Sequence, residues 1–254
     1  MRPFVYYAPQ VTVLSAPSFA QPEHLPVTFV DPGTPIEQLS EYAGRICYMS
    51  QANPANRTTA QYLAHILEAQ HGSVLEHGMF SYLLEGVSRS LTHELIRHRV
   101  GTAVSQLSQR FVDESETAFV CPPEIAREPR IEARWLSACE HALTEYKALC
   151  ANLDEQHSGS DVPKTLRRKR VREAARAVLP NCVETKLVWS CNLRELRHIL
   201  LLRGSIHADL EFQELAKALL AVTRPLAPGA LADLAWSPAQ GITSNMSPPP
   251  PPSV

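Results

Sequence analysis

Along most of this chain apolar residues return every three or four positions, the spacing that predicts helices. Thr34-Pro35-Ile36-Glu37 opens the first as a capping box with Pro at the first helical position, and Leu39, Ala43 and Ile46 carry its face to about Tyr48. Thr58-Thr59-Ala60-Gln61 starts a second, with Leu63, Ile66 and Leu67 on one side and His71-Gly72 at its end. Ser73-Val74-Leu75-Glu76 reads as a further short cap. Ser88 caps a third helix through Leu91, Leu95 and Ile96, which Gly101 stops. The longest amphipathic run, Ile131 to Leu153, puts Ile131, Trp135, Ala138, Cys139, Ala142, Tyr146, Leu149 and Leu153 on one face. Gly159 breaks it before a basic helix from about Pro163 to Val178, whose core side is Val171, Ala175 and Val178. Asn192-Leu-Arg-Glu195 is another capping pattern, leading through Leu196, Ile199 and Leu200. A last helix begins at Ser205 or His207 and runs through Leu210, Phe212, Leu215 and Leu219.

Extended segments are few: residues 4 to 14 with an interruption at Pro9, Met79 to Leu84, Phe119-Val120 and Lys186 to Ser190. With no fixed-period repeat, no GxGxxG and no phosphate loop, the class is α+β, mostly helical with a small central antiparallel or mixed sheet. After Pro225 the chain turns to Ala, Pro and Ser and contains five consecutive Pro at 248 to 252. The organisation expected is therefore one catalytic domain over residues 1–225 and a tail over 226–254 that packs no core and is disordered.

Composition removes several classes. A net charge of −2 over 254 residues gives no global field for nucleic acid or anionic lipid. Only five of the 24 basic residues are Lys, so abundance of Arg says little and its placement says more. The six Cys (47, 121, 139, 150, 182, 191) form no CxxC pair and no Cys/His ligand spacing. No secretory or bilayer-spanning run is present, and a reducing, cytoplasmic compartment is expected, without a membrane partner.

Placement singles out Arg97-His98-Arg99, followed by a loop Ser105-Gln106-Leu107-Ser108-Gln109-Arg110. Arg forks match phosphate oxygens two at a time, so guanidiniums beside Ser and Gln suit an anionic, polar small molecule. The plain alternative is a solvated charged turn at a helix end. Arg194 and His198 share a helix face, and Arg203 and His207 are again four apart. His71 and His77 are wrongly spaced for one helix face, and the residue four after His93 is Arg97 rather than His, so no metal is expected. No Cys sits in a Gly-rich elbow or beside a His. The basic run 167–172 is a solvated face or, as a competing reading, an RNA contact.

Taken in order, His71-Gly-Ser-Val-Leu-Glu-His77, Glu94-Leu-Ile-Arg97-His98-Arg99, Ser105-Gln-Leu-Ser108-Gln-Arg110-Phe111, Arg176-Ala-Val-Leu-Pro180-Asn181, Asn192-Leu-Arg194 and Arg203-Gly-Ser-Ile-His207-Ala-Asp209 closely resemble the flavin-dependent thymidylate synthases. The likeness runs from about residue 34 to 222. It implies a homotetramer whose active sites are each assembled from several subunits. It also implies FAD, a uridylate, 5,10-methylene-tetrahydrofolate as carbon donor and NADPH as reductant. Carbon passes to uracil C5 (dUMP to dTMP) and the flavin supplies the hydride, so no Cys nucleophile is required.

By resemblance, Arg97, His98 and Arg99 match a flavin-contacting triplet, with Arg97 also near the nucleotide. Ser73 matches a flavin contact, and His71 a residue near the flavin ring where folate enters. Glu94 and Gln106, Leu107, Ser108, Gln109 and Arg110 match the nucleotide loop, Gln106 also on the cofactor side. Arg176 matches a phosphate ligand, and Asn192, Arg194 and His198 match flavin contacts. Arg203 matches the residue proposed to polarise the pyrimidine. A fixed cation there stabilises the charge that develops on the ring, and His98 and Arg99 would favour a reduced, anionic flavin.

Two positions depart from the family pattern. Val100 to Leu107 is one residue longer than the usual spacing, with Gly101-Thr102 as the insertion, expected to lie against the nucleotide loop. Ile206 stands where an acidic or polar residue is common. Such changes could reshape the sugar pocket, so the alternative is a UMP, or UMP/dUMP, C5-methylase of a nucleoside-antibiotic pathway. A further alternative is a flavin- or nucleotide-binding paralogue without catalysis.

Overall fold

Proline and capping side chains decide where the helices begin in a computed structural model that describes residues 3–159 and 161–246. Strands β1 (Val5–Tyr6) and β2 (Gln10–Ser15) precede helices α1 (Pro35–Cys47) and α2 (Thr59–Glu68). A 3-10 turn (Gly72–His77) then leads into β3 (Met79–Ser88), α3 (Arg89–Leu95), β4 (Thr102–Gln106) and β5 (Phe119–Val120). A short α4 (Pro123–Ala126) precedes the long α5 (Pro129–Gln156) and α6 (Lys164–Ala175), which a 3-10 turn (Arg176–Val178) extends. Last come β6 (Glu184–Asn192), α7 (Leu193–Arg203), α8 (Leu210–Thr223) and the hairpin β7 (Leu234–Ser237) and β8 (Gly241–Ser244). The architecture is mixed and mainly helical. It holds a four-stranded sheet of order β2-β3-β6-β4, a parallel β1-β5 pair and the antiparallel β7-β8 hairpin.

The chain forms two compact units and passes between them within β2, β3, β4 and β6 and between Arg97 and His98. The first comprises the described residues of Met1–Gln10, Leu84–Arg97 and Ser105–Leu187. Its core gathers Phe119, Cys139, Leu143 and Val183, with Trp135 and Leu179 packed against them. The second comprises the described residues of Val11–Leu83, His98–Val104 and Val188–Val254. There Tyr82 and Trp189 stack with ring centroids 5.8 Å apart, and the Tyr82 hydroxyl shares a 2.8 Å hydrogen bond with Thr223 of α8. Burying such large side chains stabilises by roughly 1.5–3 kcal/mol each.

Several expectations hold at the level of single caps. Ser88 Oγ accepts from Leu91 N–H at 3.0 Å, and Thr58 and Gln61 cap each other reciprocally. Glu37 accepts the Thr34 N–H at 3.1 Å, and its other oxygen takes the N–H groups of Gly229 and Ala230.

Others are corrected. The core side of α5 is Leu136, Cys139, Leu143 and Tyr146, while Ile131 and Ala138 face outward. Apolar residues occur on more than one side of that helix, and periodicity does not say which side is covered. Val178 is exposed, because the helix has tightened to a 3-10 turn there. The last helix starts at Leu210, since Asp209 accepts the Glu211 and Phe212 N–H groups and neither Ser205 nor His207 does so. Helix α7 ends at Arg203, so Arg203 and His207 do not share a helix. The expected Ser/Gln/Arg loop begins as strand, with Ser105 and Gln106 in β4.

The largest correction concerns the segment after residue 225. Ala227, Ala230, Leu231, Leu234 and Ile242 are buried, and the β7-β8 hairpin pairs Leu234 with Ser244 and Trp236 with Ile242. Small residues let the chain pack closely where composition alone suggested a tail. The proline run 248–252 lies outside the described residues. Among the described residues no helix is long and apolar enough to cross a membrane.

Candidate active site

Helix α7 is the element that places most of the candidate side chains in the second unit. Asn192 caps it, its Oδ1 accepting the Glu195 N–H at 2.8 Å, and the 3.6-residue turn then stacks Arg194, Glu195 and His198 on one side. Asn192, Arg194, Glu195 and His198 line a cleft of about 430 Å³ with Glu76 and Val100. That volume lies in the range of small-molecule sites. Val100 is 76 % exposed there, an apolar surface set among polar groups. Arg194 pairs with Glu76 and packs over Gly72, where a Cβ would stand 3.4 Å from its Nε. His71, Ser73 and Arg194 line a neighbouring cleft of about 280 Å³ with Tyr62 and Val74.

Beneath this rim runs a short hydrogen-bonded chain. Arg203, the last residue of α7, donates from Nε to His98 Nε2 at 3.1 Å, and His98 Nδ1 stands 3.2 Å from Glu195 Oε1. The Arg203 guanidinium also lies over the Phe212 ring, 5.3 Å from its centroid. His98 is nearly buried, and that burial is the main reason its imidazole is held below the ordinary histidine range. The bond to Glu195 works the other way, and Arg203 and His198 add to the lowering. Arg99 is exposed beside His98 and makes no ion pair among the described residues.

The remaining candidates belong to the first unit. Gln106 is fixed by its amide, which donates to Thr92 Oγ1 at 3.1 Å and Thr185 Oγ1 at 3.2 Å. Leu107 N–H donates to the Lys186 carbonyl, and Ser108 Oγ accepts the Arg110 N–H at 3.4 Å. Gln109 is buried. Arg110 donates from Nε to Glu173 at 2.8 Å, both side chains being largely solvated. Arg97 is exposed without an ion pair among the described residues, while Glu94 and Arg176 are half-buried.

Sequence reasoning missed Glu195 as a partner of His98 and Glu76 as a partner of Arg194. It also expected Gly101 against the nucleotide loop, whereas Gly101 packs on Asn192: its carbonyl accepts the Asn192 N–H at 2.9 Å. Only the Asn192-to-Glu195 spacing carried a signal, and it read as a cap.

His98, Glu195 and His198 each offer a ligand atom within 4.8 Å of the others. Arg203 donates to one His98 nitrogen and Glu195 faces the other, so the trio reads as a hydrogen-bonded chain with a cation already in place. Burial pushes the Cys121 thiol up to about 11 and raises that of Cys191, which makes both poor nucleophiles. Three of the five basic residues in the 167–172 run are engaged: Arg167 meets Asp154 at 2.9 Å, Arg172 meets Asp113 at 3.3 Å, and Lys169 lies over Phe111. That weakens the RNA reading.

A family model described as thymidylate synthase complementing protein matches residues 31–229. A flavin-dependent thymidylate synthase of Mycobacterium sp. strain JLS is 46 % identical over 201 residues, 77 % of this chain and 78 % of the relative. That of Mycobacterium marinum is 41 % identical over 228 residues, 88 % and 89 % of the two chains. Among solved structures, a UMP/dUMP methylase PolB from Streptomyces cacaoi bound with 5-Br dUMP superposes with a TM-score of 0.65 at 20 % identity, covering 89 % of this chain and 94 % of that one. The same enzyme with 5-Br UMP gives 0.63 at 17 % identity, covering 91 % and 95 %. These likenesses in structure speak to the fold.

Proposed function

Because the chain belongs to the thymidylate synthase complementing protein family, whose mycobacterial members are flavin-dependent thymidylate synthases, we propose that it methylates C5 of a uridylate, dUMP first. The carbon donor in this reading is 5,10-methylene-tetrahydrofolate, with FAD as cofactor and NADPH as reductant. Reduced flavin would supply the hydride that turns the transferred carbon into a methyl group. The donors around the 430 Å³ cleft fit such a group: the Asn192 amide, the Arg194 guanidinium and the His198 ring beside the apolar surface of Val100. His71 and Ser73 would adjoin it along the second cleft.

Arg203 carries the reading. Making uracil C5 nucleophilic puts negative charge on the ring, and a guanidinium fixed by His98 and seated over Phe212 is a preorganised partner for it. Arg110 and Arg176 would take the phosphate, Arg110 exchanging Glu173 for a dianion. Glu94, Arg97 and Gln106 to Gln109 would line the nucleotide, and Arg97, His98, Arg99 and Gln106 the flavin. Exposed apolar side chains such as Phe4, Tyr7 and Phe111 support burial between copies, as in the homotetramer expected, with sites shared among subunits. Six free thiols suit a reducing, cytoplasmic setting.

The test offers dUMP and UMP side by side to purified protein with methylene-tetrahydrofolate and NADPH. A yellow protein that forms dTMP is expected, and Arg203→Ala should keep the flavin while losing about 10²–10³ in kcat. Colourless protein, or no methylated nucleotide from either substrate, would overturn the proposal. Ile206, exposed where the family pattern commonly has an acidic or polar residue, keeps UMP as the alternative substrate.

A further inference from the structure

In a capping box the third residue of the helix reaches back to the N-cap backbone N–H. Here that N–H is already taken, because the Gly101 carbonyl accepts it at 2.9 Å. Gly101 can approach so closely because its φ is +65° and a Cβ on it would stand 2.1 Å from Asn192 Nδ2. The Glu195 carboxylate is thereby released from capping and lies 3.2 Å from His98 Nδ1 instead. On the other side of the imidazole, Arg203 donates to Nε2 at 3.1 Å. A guanidinium has donors only, so Nε2 must carry the lone pair and Nδ1 the proton. A carboxylate at Nδ1 is the acceptor that this tautomer requires.

We propose that Glu195 is a positioning residue for the methylation: it holds His98 as the neutral Nδ1–H tautomer, and His98 in turn holds the Arg203 guanidinium. The inference rests on the role given above to Arg203. The titratable groups facing the His98 ring are Glu195 and His198 on α7, the latter with its ring centroid 5.9 Å away, and Arg203 at that helix's end. Protonation of His98 removes the acceptor for Arg203 and sets two cations against each other. Turnover therefore falls as pH drops through the His98 pKa. Removing the Glu195 charge takes away an influence that raises that pKa, so the acid limb moves to lower pH.

The experiment compares the wild-type holoenzyme with Glu195→Gln and Glu195→Ala by ¹⁵N-imidazole NMR and by pH profiles of kcat. Wild type should show His98 protonated at Nδ1. Gln retains a carbonyl acceptor, so Glu195→Gln should keep the tautomer and most of kcat, with its acid limb displaced downward. Glu195→Ala should give mixed tautomers and lose about ten- to a hundredfold in kcat, with a much smaller change in nucleotide KM. An Nε2–H tautomer in wild type overturns the proposal. So does an Ala variant with unchanged kcat and acid limb, or a Gln variant as impaired as Ala. The NMR arm reads the resting protein, whereas the methylation reading fails separately, on a wild type that forms no methylated product.

Discussion

Gly101 sits at a left-handed φ with an amide nitrogen 2.1 Å from where its Cβ would be, and nothing larger fits without moving Asn192. An alanine there costs about 1–2 kcal/mol in backbone strain and about 1 kcal/mol more if the Asn192 cap is displaced. Gly101→Ala should therefore lower the urea midpoint by the equivalent of about 2–3 kcal/mol. Combining it with Asn192→Ala should cost less than the sum, and strict additivity would show that loop and cap act independently. At this scale the sequence was informative where chemistry is local. Asn192 was legible as a cap because Asn accepts the N–H three residues on, and Ser88 and Thr58 followed the same logic. Glu195 was not, because its partner His98 is set by a competing backbone acceptor far away in the chain.

Among the elements, α6 shows how a charge run resolves once its neighbours are known. Arg172 donates to the Phe111 carbonyl and to Asp113, Lys169 covers the Phe111 ring, and Glu173 holds Arg110. The helix thus clasps the segment that follows the nucleotide loop. Exposed ion pairs are worth roughly 0.2–1 kcal/mol, so Glu173→Ala should free Arg110 and lower the nucleotide KM by up to about fivefold. Steady-state kinetics decide this, and a raised KM would mean that Glu173 orients Arg110 rather than competing for it. Helix starts were readable from caps and prolines. The covered face of α5 and the first residue of α8 were not, because each depends on which surface meets the rest of the unit and which acceptor reaches the free N–H groups.

At the scale of the whole molecule, the C-terminal hairpin is joined to α7 by a buried ion pair. Arg197 Nη1 and Nη2 meet Asp233 Oδ1 and Oδ2 at 2.6 and 2.8 Å, and the Ser244 hydroxyl donates to the same carboxylate. Burial opposes charge on Asp233, but the bonds from Arg197 and Ser244 outweigh it and hold the carboxyl below its ordinary range. A lowered folded-state pKa gives stability that is present above the unfolded value, about 4, and lost as pH falls through the folded one. Asp233→Asn should cost about 3 kcal/mol or more at pH 7 by leaving Arg197 buried without its charge partner. In urea unfolding the gap to wild type should narrow towards pH 3, and a gap independent of pH would count against this linkage. The helical class and the family motifs were legible at this scale, but the boundary expected at 225 was not. Composition registers Ala and Pro as tail, whereas Ala227 and Ala230 pack because they are small.

The same clamp carries a consequence for biosynthesis. Asp233 and Ser244 emerge from the ribosome after every candidate site residue, so α7 gains its lateral anchor only after the whole site has been synthesised. A nascent chain stalled short of Asp233 would carry all the ligand-facing side chains while the helix presenting Arg194, Glu195, His198 and Arg203 still lacked its fastening.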